Sequence, residues 1–297
     1  MFNVKITRNR ILLSGILFII AECSAASHAE FDYGRIESAG IAMPYRYATF
    51  NESDSSKPAL VIYLHGGSSK GVDNETQMLE AGIDSIANYL TEQDGKAIFL
   101  VPQCPADKFW GGPMLGVLKA LIDEFKEGKV NDGRIYILGG SMGGTGTWSM
   151  VSAYPDLFAA AMPVAGNPSK CIAGNVSQTP VFTVMGTADT IMNVETTSDF
   201  IDKLNSFGGI TKLDIEEGWT HEVTCVQSYT APRLDWVLSH TLESSGIGNT
   251  NFDNTEIKYV MRFSPDGRIL REDTTKGFYI ERTVFTDGSV TVRKLYR

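Results

Sequence analysis

The 297-residue sequence predicts an α/β domain with a mostly parallel sheet, followed by a small C-terminal all-β appendage. Apolar runs of strand length alternate with segments of helical spacing over most of the chain, a pattern typical of parallel sheets covered by helices. After about Thr241 the pattern changes to short β-rich runs separated by Asp-Gly turns. The hydrophobic content of 43% is sufficient for a substantial core.

The first 29 residues have the features of an export signal and not of a folded domain. A basic start precedes an apolar run at residues 11–21, which is too short to span a bilayer comfortably. Small residues follow, and we predict cleavage after Ala29. We therefore expect export to the periplasm or the medium, without stable membrane insertion. Lipidation at Cys23 and an N-terminal anchor that stays in place are the alternatives.

Strands and helices alternate along the rest of the α/β domain. Residues 59–64 form a continuous apolar run, as expected of a strand buried on both faces, whereas residues 45–50 show strand alternation. We predict strands at residues 45–50, 59–64, 96–102, 134–138, 158–164, 180–185 and 213–217. Helical spacing of apolar side chains predicts helices at residues 77–88, 115–126, 194–207 and 230–239.

The appendage is predicted to be a separate module. Residues 244–250 have the composition of a linker. Asp-Gly turns beyond the linker predict two β-hairpins, pairing residues 259–263 with 268–271 and residues 278–285 with 289–296. We expect the α/β domain at residues 30–243 to fold without the module at residues 250–297. The role of the module is open between glycan binding and packing on the domain as a lid or dimer contact.

The motif Gly-Gly-Ser-Met-Gly at residues 139–143 has the pattern G-x-S-x-G between a predicted strand and a helix of small residues. A strand that turns directly into a helix forces Ser141 into an unfavourable backbone conformation, with its hydroxyl projecting into the open. Gly139 and Gly143 lack the Cβ atoms that would clash with the neighbouring strand and helix. We predict Ser141 as a nucleophile. The alternative is a Gly-Ser loop in an ordinary α/β connection.

A serine hydroxyl needs a general base, and His221 is the best-placed histidine. It lies in the sequence Gly-Trp-Thr-His just after the last predicted strand of the α/β domain. A structural role is expected for His65 in its His-Gly-Gly turn, and His240 ends the last helix. Asp189 follows the strand at residues 180–185 and would orient the base, although Asp also favours turn caps. The other candidates, Asp199 and Asp214, lie inside a predicted helix and a predicted strand.

Two backbone N–H groups are predicted to receive a developing oxyanion. One belongs to Met142, at the start of the helix behind Ser141, and the other to Gly67, in the His-Gly-Gly turn. Every motif follows the carboxyl end of a predicted strand, where open α/β sheets bind ligands. We therefore predict a triad of Ser141, His221 and Asp189 with an oxyanion hole at Gly67 and Met142.

Several stretches together resemble a known enzyme group: residues 64–67, 101–105 with Trp110, 134–148, 154–158, 185–189 and 219–221. The chain is similar to α/β-hydrolases of the esterase and "predicted peptidase" group, related to polyhydroxybutyrate depolymerases, feruloyl esterases and acetylxylan esterases. The resemblance covers roughly residues 50–240 and implies the α/β-hydrolase fold with its nucleophile–acid–histidine order. It also implies substrate-binding roles for Trp110 and Trp219. Many relatives have Gly-x-Gly-His around the histidine, where this chain has Gly-Trp-Thr-His.

The expected function is an exported serine carboxylesterase that cleaves feruloyl or acetyl esters on plant polysaccharide. A peptidase related to prolyl oligopeptidases is an alternative, although the chain is too short for the propeller that those enzymes normally carry. A non-catalytic binding protein on the same scaffold is another, and it predicts a broken triad. The net charge of −9 argues against nucleic acid as the partner. Zinc spacing and a P-loop are both missing from the sequence, so we expect no metal and no cofactor.

Three cysteines follow the predicted signal, and an odd number in an exported protein leaves the pairing open. Either one disulfide and one free thiol are present, or no cysteine is paired. Cys171 and Cys225 both follow late strands, and we predict that they form a disulfide on the rim near His221. Cys104 follows an earlier strand, which the usual hydrolase strand order places on the other side of the Ser141 strand.

Overall fold

The computed structural model describes residues 30–242, 257–264, 269–270, 278–285 and 290–296. The predicted signal and linker lie outside these ranges. Within them, no helix combines the length and the apolar character that a bilayer crossing requires.

Eight strands form one twisted sheet in the order β1-β2-β4-β3-β5-β6-β7-β8. The pairs β1–β2 and β2–β4 are antiparallel, and all other neighbours from β4 to β8 are parallel. The strands are β1 (Asp32–Ser38), β2 (Ile41–Phe50), β3 (Ala59–Leu64), β4 (Ala97–Pro102), β5 (Ile135–Gly140), β6 (Ala160–Val164), β7 (Val181–Gly186) and β8 (Thr211–Glu216). The predicted mostly parallel sheet is confirmed.

Seven α-helices in the described part of the chain cover the two faces of this sheet. They are α1 (Ala81–Thr91), α2 (Pro113–Lys126), α3 (Met142–Ala153), α4 (Ala173–Val176), α5 (Val194–Ser206), α6 (His221–Gln227) and α7 (Ala231–Leu238). Side chains of α2, α3 and α5 pack in one apolar layer, and those of α1 and α7 pack in the other. Alternate residues of β3 enter opposite layers, because successive side chains of a strand point to opposite faces.

Three details differ from the sequence-based expectation. Strand β1, at the antiparallel edge, and the short helices α4 and α6 were not predicted. The predicted helix at residues 77–88 is a 3-10 turn, Thr76–Leu79, followed by α1. The break falls at Glu80, whose backbone is extended at φ −76° and ψ 127°. The apolar spacing continues through the break, so periodicity alone reads the two pieces as one helix.

Four further strands form a separate antiparallel sheet in the order β10-β9-β11-β12. They are β9 (Ile257–Phe263), β10 (Ile269–Leu270), β11 (Phe278–Phe285) and β12 (Val290–Tyr296). The pairs β9–β10 and β11–β12 correspond to the two expected hairpins, and β9 also pairs with β11. The Phe263 ring packs edge-on against Phe207 at 5.6 Å, and Arg282 donates a hydrogen bond to the Phe207 carbonyl. The small sheet thus contacts the end of α5, and its independence in folding stays a prediction.

Candidate active site

Ser141 lies at the sharp turn between β5 and α3. Its backbone has φ 57° and ψ −116°, a conformation that L-residues rarely adopt and that the surrounding structure must hold in place. The Ser141 N–H donates to the Val164 carbonyl at 3.0 Å, and the Ser141 carbonyl accepts from Thr145 in the first turn of α3. These bonds tie the turn to β6 and to the helix, so the hydroxyl is held beyond the carboxyl end of the sheet.

The glycines of the motif allow the backbones to approach closely. A Cβ atom at Gly143 would lie 1.8 Å from the Leu64 carbonyl oxygen, and one at Gly139 would lie 2.7 Å from the Gly143 carbonyl oxygen. Both distances are far below a van der Waals contact, and both neighbours are backbone atoms that cannot rotate away. A side chain at residue 139 or 143 would therefore clash with the backbone, as the motif predicts, so both positions beside Ser141 require glycine.

Three side chains from separate segments meet at this turn. The Ser141 Oγ lies 2.7 Å from Nε2 of His221, and Nδ1 of His221 lies 2.8 Å from Oδ2 of Asp189. Asp189 follows β7, and His221 is the first residue of α6. The His221 side chain is 9% exposed and the Asp189 side chain is fully buried. The order serine, histidine, carboxylate is the arrangement in which a histidine can take a proton from a serine hydroxyl.

Asp189 makes the contacts of a turn cap and also contacts the His221 imidazole. Oδ1 accepts from the backbone N–H groups of Ile191 and Met192, each at 2.8 Å, while Oδ2 contacts His221. Two backbone donors on one oxygen fix the rotation of the carboxylate. The second oxygen is thereby aimed at the imidazole, so the turn cap itself orients the histidine.

The turn after β3 is built around a buried histidine. Nε2 of His65 accepts from the Cys104 N–H at 2.9 Å, so the ring proton resides on Nδ1, which donates to the Gly66 carbonyl at 2.7 Å. The Trp110 indole N–H donates to the His65 carbonyl at 3.0 Å. Burial lowers the pKa of His65 to about 4, which keeps the ring neutral near pH 7. The expected structural role of His65 agrees with these contacts.

The direction of the Gly67 N–H follows from those bonds. The Gly66 carbonyl accepts from His65 and from the Ser69 N–H, and the N–H of a trans peptide points opposite to its carbonyl. The N–H groups of Gly67 and Met142 donate to no acceptor within the residues that the structure describes. Both follow the carboxyl ends of adjacent strands, β3 and β5.

Residues 106–231 match the dienelactone hydrolase family model, and this segment contains Ser141, Asp189 and His221. A solved thermostable esterase superposes with a TM-score of 0.60 at 24% identity, covering 71% of this chain and 63% of that chain. The chain has the α/β-hydrolase fold. A ferulic acid esterase superposes with a TM-score of 0.58 at 14% identity, covering 71% of this chain and 99% of that chain.

A curated relative of the chain is poly(3-hydroxyalkanoate) depolymerase C of Paucimonas lemoignei. The two are 39% identical over 69 residues, which is 23% of this chain and 16% of the depolymerase. The match therefore spans about a sixth of that relative's length. Together with the family model and the esterase structures, it confirms the resemblance to the esterase group.

The substrate-binding roles expected for Trp110 and Trp219 stay predictions, and the structure shows what surrounds each ring. Trp110 is only 2% exposed, and its indole N–H donates to the His65 carbonyl while its ring packs edge-on against the His65 ring. The Trp219 ring packs near the Arg233 guanidinium and lines a groove of about 470 Å³ beside β8. No triad side chain lines that groove. The Trp219 carbonyl accepts from the Ala188 N–H, which ties the segment before His221 to the loop that carries Asp189.

The predicted disulfide is wrong, because Cys171 and Cys225 are both free. Cys171 packs against the layer that contains α2, α3 and α5, whereas Cys225 packs against the layer that contains α1 and α7. The sheet separates the two sulfur atoms. Cys225 lies one helical turn after His221 and close to Gly140, and burial raises the pKa of its thiol to about 12.

Glu80 is a residue of the site that the sequence analysis missed. Its carboxylate accepts hydrogen bonds from the turn that follows β3, fourteen residues earlier in the chain. The available signal was weak: Glu80 directly precedes α1, at the cap position where Ser, Thr, Asp or Asn would be preferred. Among the described residues, no group of three or more His, Cys, Asp or Glu side chains is arranged to hold a metal ion.

We expect His65 to make the stability of the protein depend on pH. Its pKa falls from about 6.5 to about 4 on folding, so between these values the unfolded chain binds more protons than the folded chain. The resulting stability is present above pH 6.5 and is lost as the pH falls toward 4. At pH 4.5 the loss should be roughly 2–3 kcal/mol of the free energy of unfolding.

Urea unfolding at pH 7 and pH 4.5, on wild type and His65→Gln, checks this expectation. Glutamine does not titrate, so the fall in unfolding free energy between the two pH values should be smaller in the variant by about that amount. Burial raises the pKa of Glu80, and this shift favours the folded state as the pH falls. Both proteins contain Glu80, so its contribution cancels when their unfolding free energies are compared. An equal fall in the two proteins would contradict the neutral buried state of His65.

Proposed function

We propose that the protein is a hydrolase that cleaves carboxylic esters, with Ser141 as nucleophile, His221 as general base and Asp189 as the group that orients the base. The observation that carries the proposal is the pair of short contacts through the imidazole, 2.7 Å to the Ser141 Oγ and 2.8 Å to the Asp189 carboxylate. A non-catalytic binding protein would have no need to retain a buried carboxylate, an imidazole and a strained serine in this order.

The reaction begins when Nε2 of His221 takes the proton of Ser141 as Oγ attacks the ester carbonyl carbon. The resulting imidazolium is stabilised by the adjacent carboxylate of Asp189, which keeps its own charge. Collapse of the tetrahedral intermediate breaks the bond to the alcohol, and His221 gives the proton to the leaving oxygen. A water molecule, deprotonated by His221, then attacks the acyl group on Ser141, and the acid is released.

The oxyanion of each tetrahedral intermediate is received by the N–H groups of Gly67 and Met142. Met142 is the first residue of α3, so its N–H belongs to the positive end of the helix dipole. The Gly67 N–H is oriented by the bonds that hold the Gly66 carbonyl. Donors fixed before the reaction stabilise the developing charge without a further cost of reorganisation. Every step uses groups of the chain and water, and the mechanism calls for no cofactor.

We propose that the substrates are esters that decorate plant polysaccharide, such as feruloyl or acetyl groups, and that the enzyme acts after export to the periplasm or the medium. The likeness to a ferulic acid esterase supports the acyl group, and the basic and apolar N-terminal sequence supports export. Trp110 and Trp219 are left out of this proposal, because Trp110 is buried and the groove that Trp219 lines contains no triad side chain.

Three substrates assayed side by side test the proposal: p-nitrophenyl acetate, methyl ferulate and a chromogenic prolyl peptide. We expect wild type to hydrolyse the two esters and to leave the peptide intact, with Ser141→Ala as the blank for each assay. Hydrolysis of acetate but not of ferulate would contradict the feruloyl assignment. Peptide cleavage without ester cleavage would indicate a peptidase, and an inert wild type would indicate a binding protein.

A further inference from the structure

The carboxylate of Glu80 is hydrogen-bonded to the turn that follows β3. Oε1 accepts from the Gly66 N–H at 2.7 Å and from the Ser69 hydroxyl at 2.7 Å, and Oε2 accepts from the Tyr63 hydroxyl at 2.9 Å. Three donors converge on one carboxylate, two of them from the 65–69 turn and one from β3. The side chain therefore joins the strand, the turn and the start of α1.

This arrangement is not a helix cap. Glu80 occupies the position before the first residue of α1, but its side chain makes no capping hydrogen bond to the helix. The carboxylate instead points back to the turn, where burial raises its pKa despite the three donors. Burying a carboxylate is costly, so its placement calls for a role other than starting the helix.

The turn that Glu80 holds lies directly beside the nucleophile. A Cβ atom at Gly66 would be 3.2 Å from Oε1 of Glu80 and 3.7 Å from Cβ of Ser141. Residue 66 is thus clamped from two directions: Glu80 binds its N–H, and His65 binds its carbonyl. With both ends of one residue fixed, the next N–H along the chain, that of Gly67, has a defined direction.

We propose that Glu80 is a positioning residue for the oxyanion hole, acting through the Gly66 N–H and the Ser69 hydroxyl to hold the Gly67 N–H toward the reacting carbonyl. The inference rests on the proposed function, in which Gly67 supplies that donor. Glu80 does not touch the substrate. Its effect should therefore appear in the step that forms the oxyanion and not in the binding of the ester.

Two variants separate hydrogen bonding from charge and from bulk. Glu80→Leu keeps a side chain of similar size but removes both acceptors, whereas Glu80→Gln keeps one carbonyl oxygen for the turn and can donate to the Tyr63 hydroxyl. Glu92→Leu, at the exposed other end of α1, is the matched control. All four proteins are assayed on p-nitrophenyl acetate, with active sites counted by a fluorophosphonate and thermal midpoints measured in parallel.

We expect kcat per active site to fall about tenfold or more in Glu80→Leu, because loss of an oxyanion donor outright costs about 100- to 1000-fold. KM should change by less than about threefold, since the donor acts on the transition state. Glu80→Gln should restore kcat to within about fivefold of wild type, and Glu92→Leu should match wild type. A Glu80→Leu protein with a lower thermal midpoint but wild-type kcat per active site would overturn the inference, as would a Gln variant as slow as the Leu variant.

If Glu80→Leu does not fold, the double variant Tyr63→Phe, Ser69→Ala takes its place. It removes two of the three donors to the carboxylate and leaves Glu80 itself unchanged. Its kcat per active site should fall by about fivefold or more, and an unchanged value would overturn the inference.

Ser141→Ala distinguishes a failure of the proposed function from a failure of the role assigned to Glu80. Full activity in Ser141→Ala refutes the proposed function, whereas an inactive Ser141→Ala with a fast Glu80→Leu refutes only the role of Glu80.

Discussion

Replacing Ser141 with alanine is expected to lower kcat for p-nitrophenyl acetate by about 10⁴-fold or more, because the variant has no atom that can form the acyl-enzyme. His221→Ala should lose a comparable factor, since without the imidazole the serine proton has no acceptor. KM should change far less than kcat in both variants, because these groups act on the transition state. Initial rates measured over a range of ester concentrations give both constants.

The matched control for Ser141→Ala is Ser149→Ala. Ser149 lies on the same helix, and its hydroxyl donates to the Thr145 carbonyl one turn earlier and interacts with the Cys171 thiol. This variant should keep kcat within about twofold of wild type, since the Ser149 hydroxyl is bonded to Thr145 and Cys171 and to no triad side chain. Asp189→Asn should be slower than wild type but faster than His221→Ala, because Asp189 orients the base without taking the proton. Ester hydrolysis by Ser141→Ala at the wild-type rate would contradict the assignment of the nucleophile.

Gly143→Ala is expected to have the largest effect on stability among single-methyl additions in the sheet core. The new Cβ would lie 1.8 Å from the Leu64 carbonyl oxygen and 2.9 Å from that of His65, so β3 or α3 must move. Overpacking costs about 1–3 kcal/mol of unfolding free energy and occasionally more, and we expect this variant at the upper end because the close neighbour is a backbone atom. Because the displaced backbone leads into the His65 turn, kcat should fall as well. Urea unfolding and ester assays on the same preparation check both results.

Gly116→Ala provides the control for Gly143→Ala. Gly116 is exposed on α2, and a Cβ atom there would have no neighbour within 4 Å. Alanine should raise the free energy of unfolding by roughly 0.5–1 kcal/mol, because glycine is unfavourable inside a helix. Equal stability changes in the two variants would mean that the close approach of α3 to β3 does not constrain residue 143.

The sequence predicts the central sheet well because its strands are continuous apolar runs with clear boundaries. The predicted strand at residues 59–64 coincides with β3, and that at residues 180–185 is shifted by one residue from β7. The chain order of Ser141, Asp189 and His221 also carries over, since each follows a strand whose carboxyl end lies at the same edge. The local sequence pattern is sufficient to predict these features, because a residue that follows a strand of a parallel sheet lies at a known edge of that sheet.

The features that the sequence did not predict depend on contacts between distant segments. Trp110 meets His65 across 45 positions of the chain, and Glu80 meets Gly66 across 14. Nothing in the local pattern distinguishes an indole that supports a turn from one that binds a substrate. Cys171 and Cys225 were paired by their position along the sheet, but a disulfide also requires that both face the same layer. Helix α6 is short, and a seven-residue helix carries little periodicity.

Covalent labelling tests the central claim most directly. A fluorophosphonate reacts with a serine only when a base removes its proton and donors stabilise the charged phosphoryl oxygen. Wild type should be labelled once, with peptide mass spectrometry locating the modification at Ser141, and Ser141→Ala should remain unlabelled. His221→Ala, which keeps the serine but lacks the base, should be labelled far more slowly than wild type. Labelling of Ser141→Ala at the wild-type rate, or labelling of wild type at another serine, would contradict Ser141 as the nucleophile.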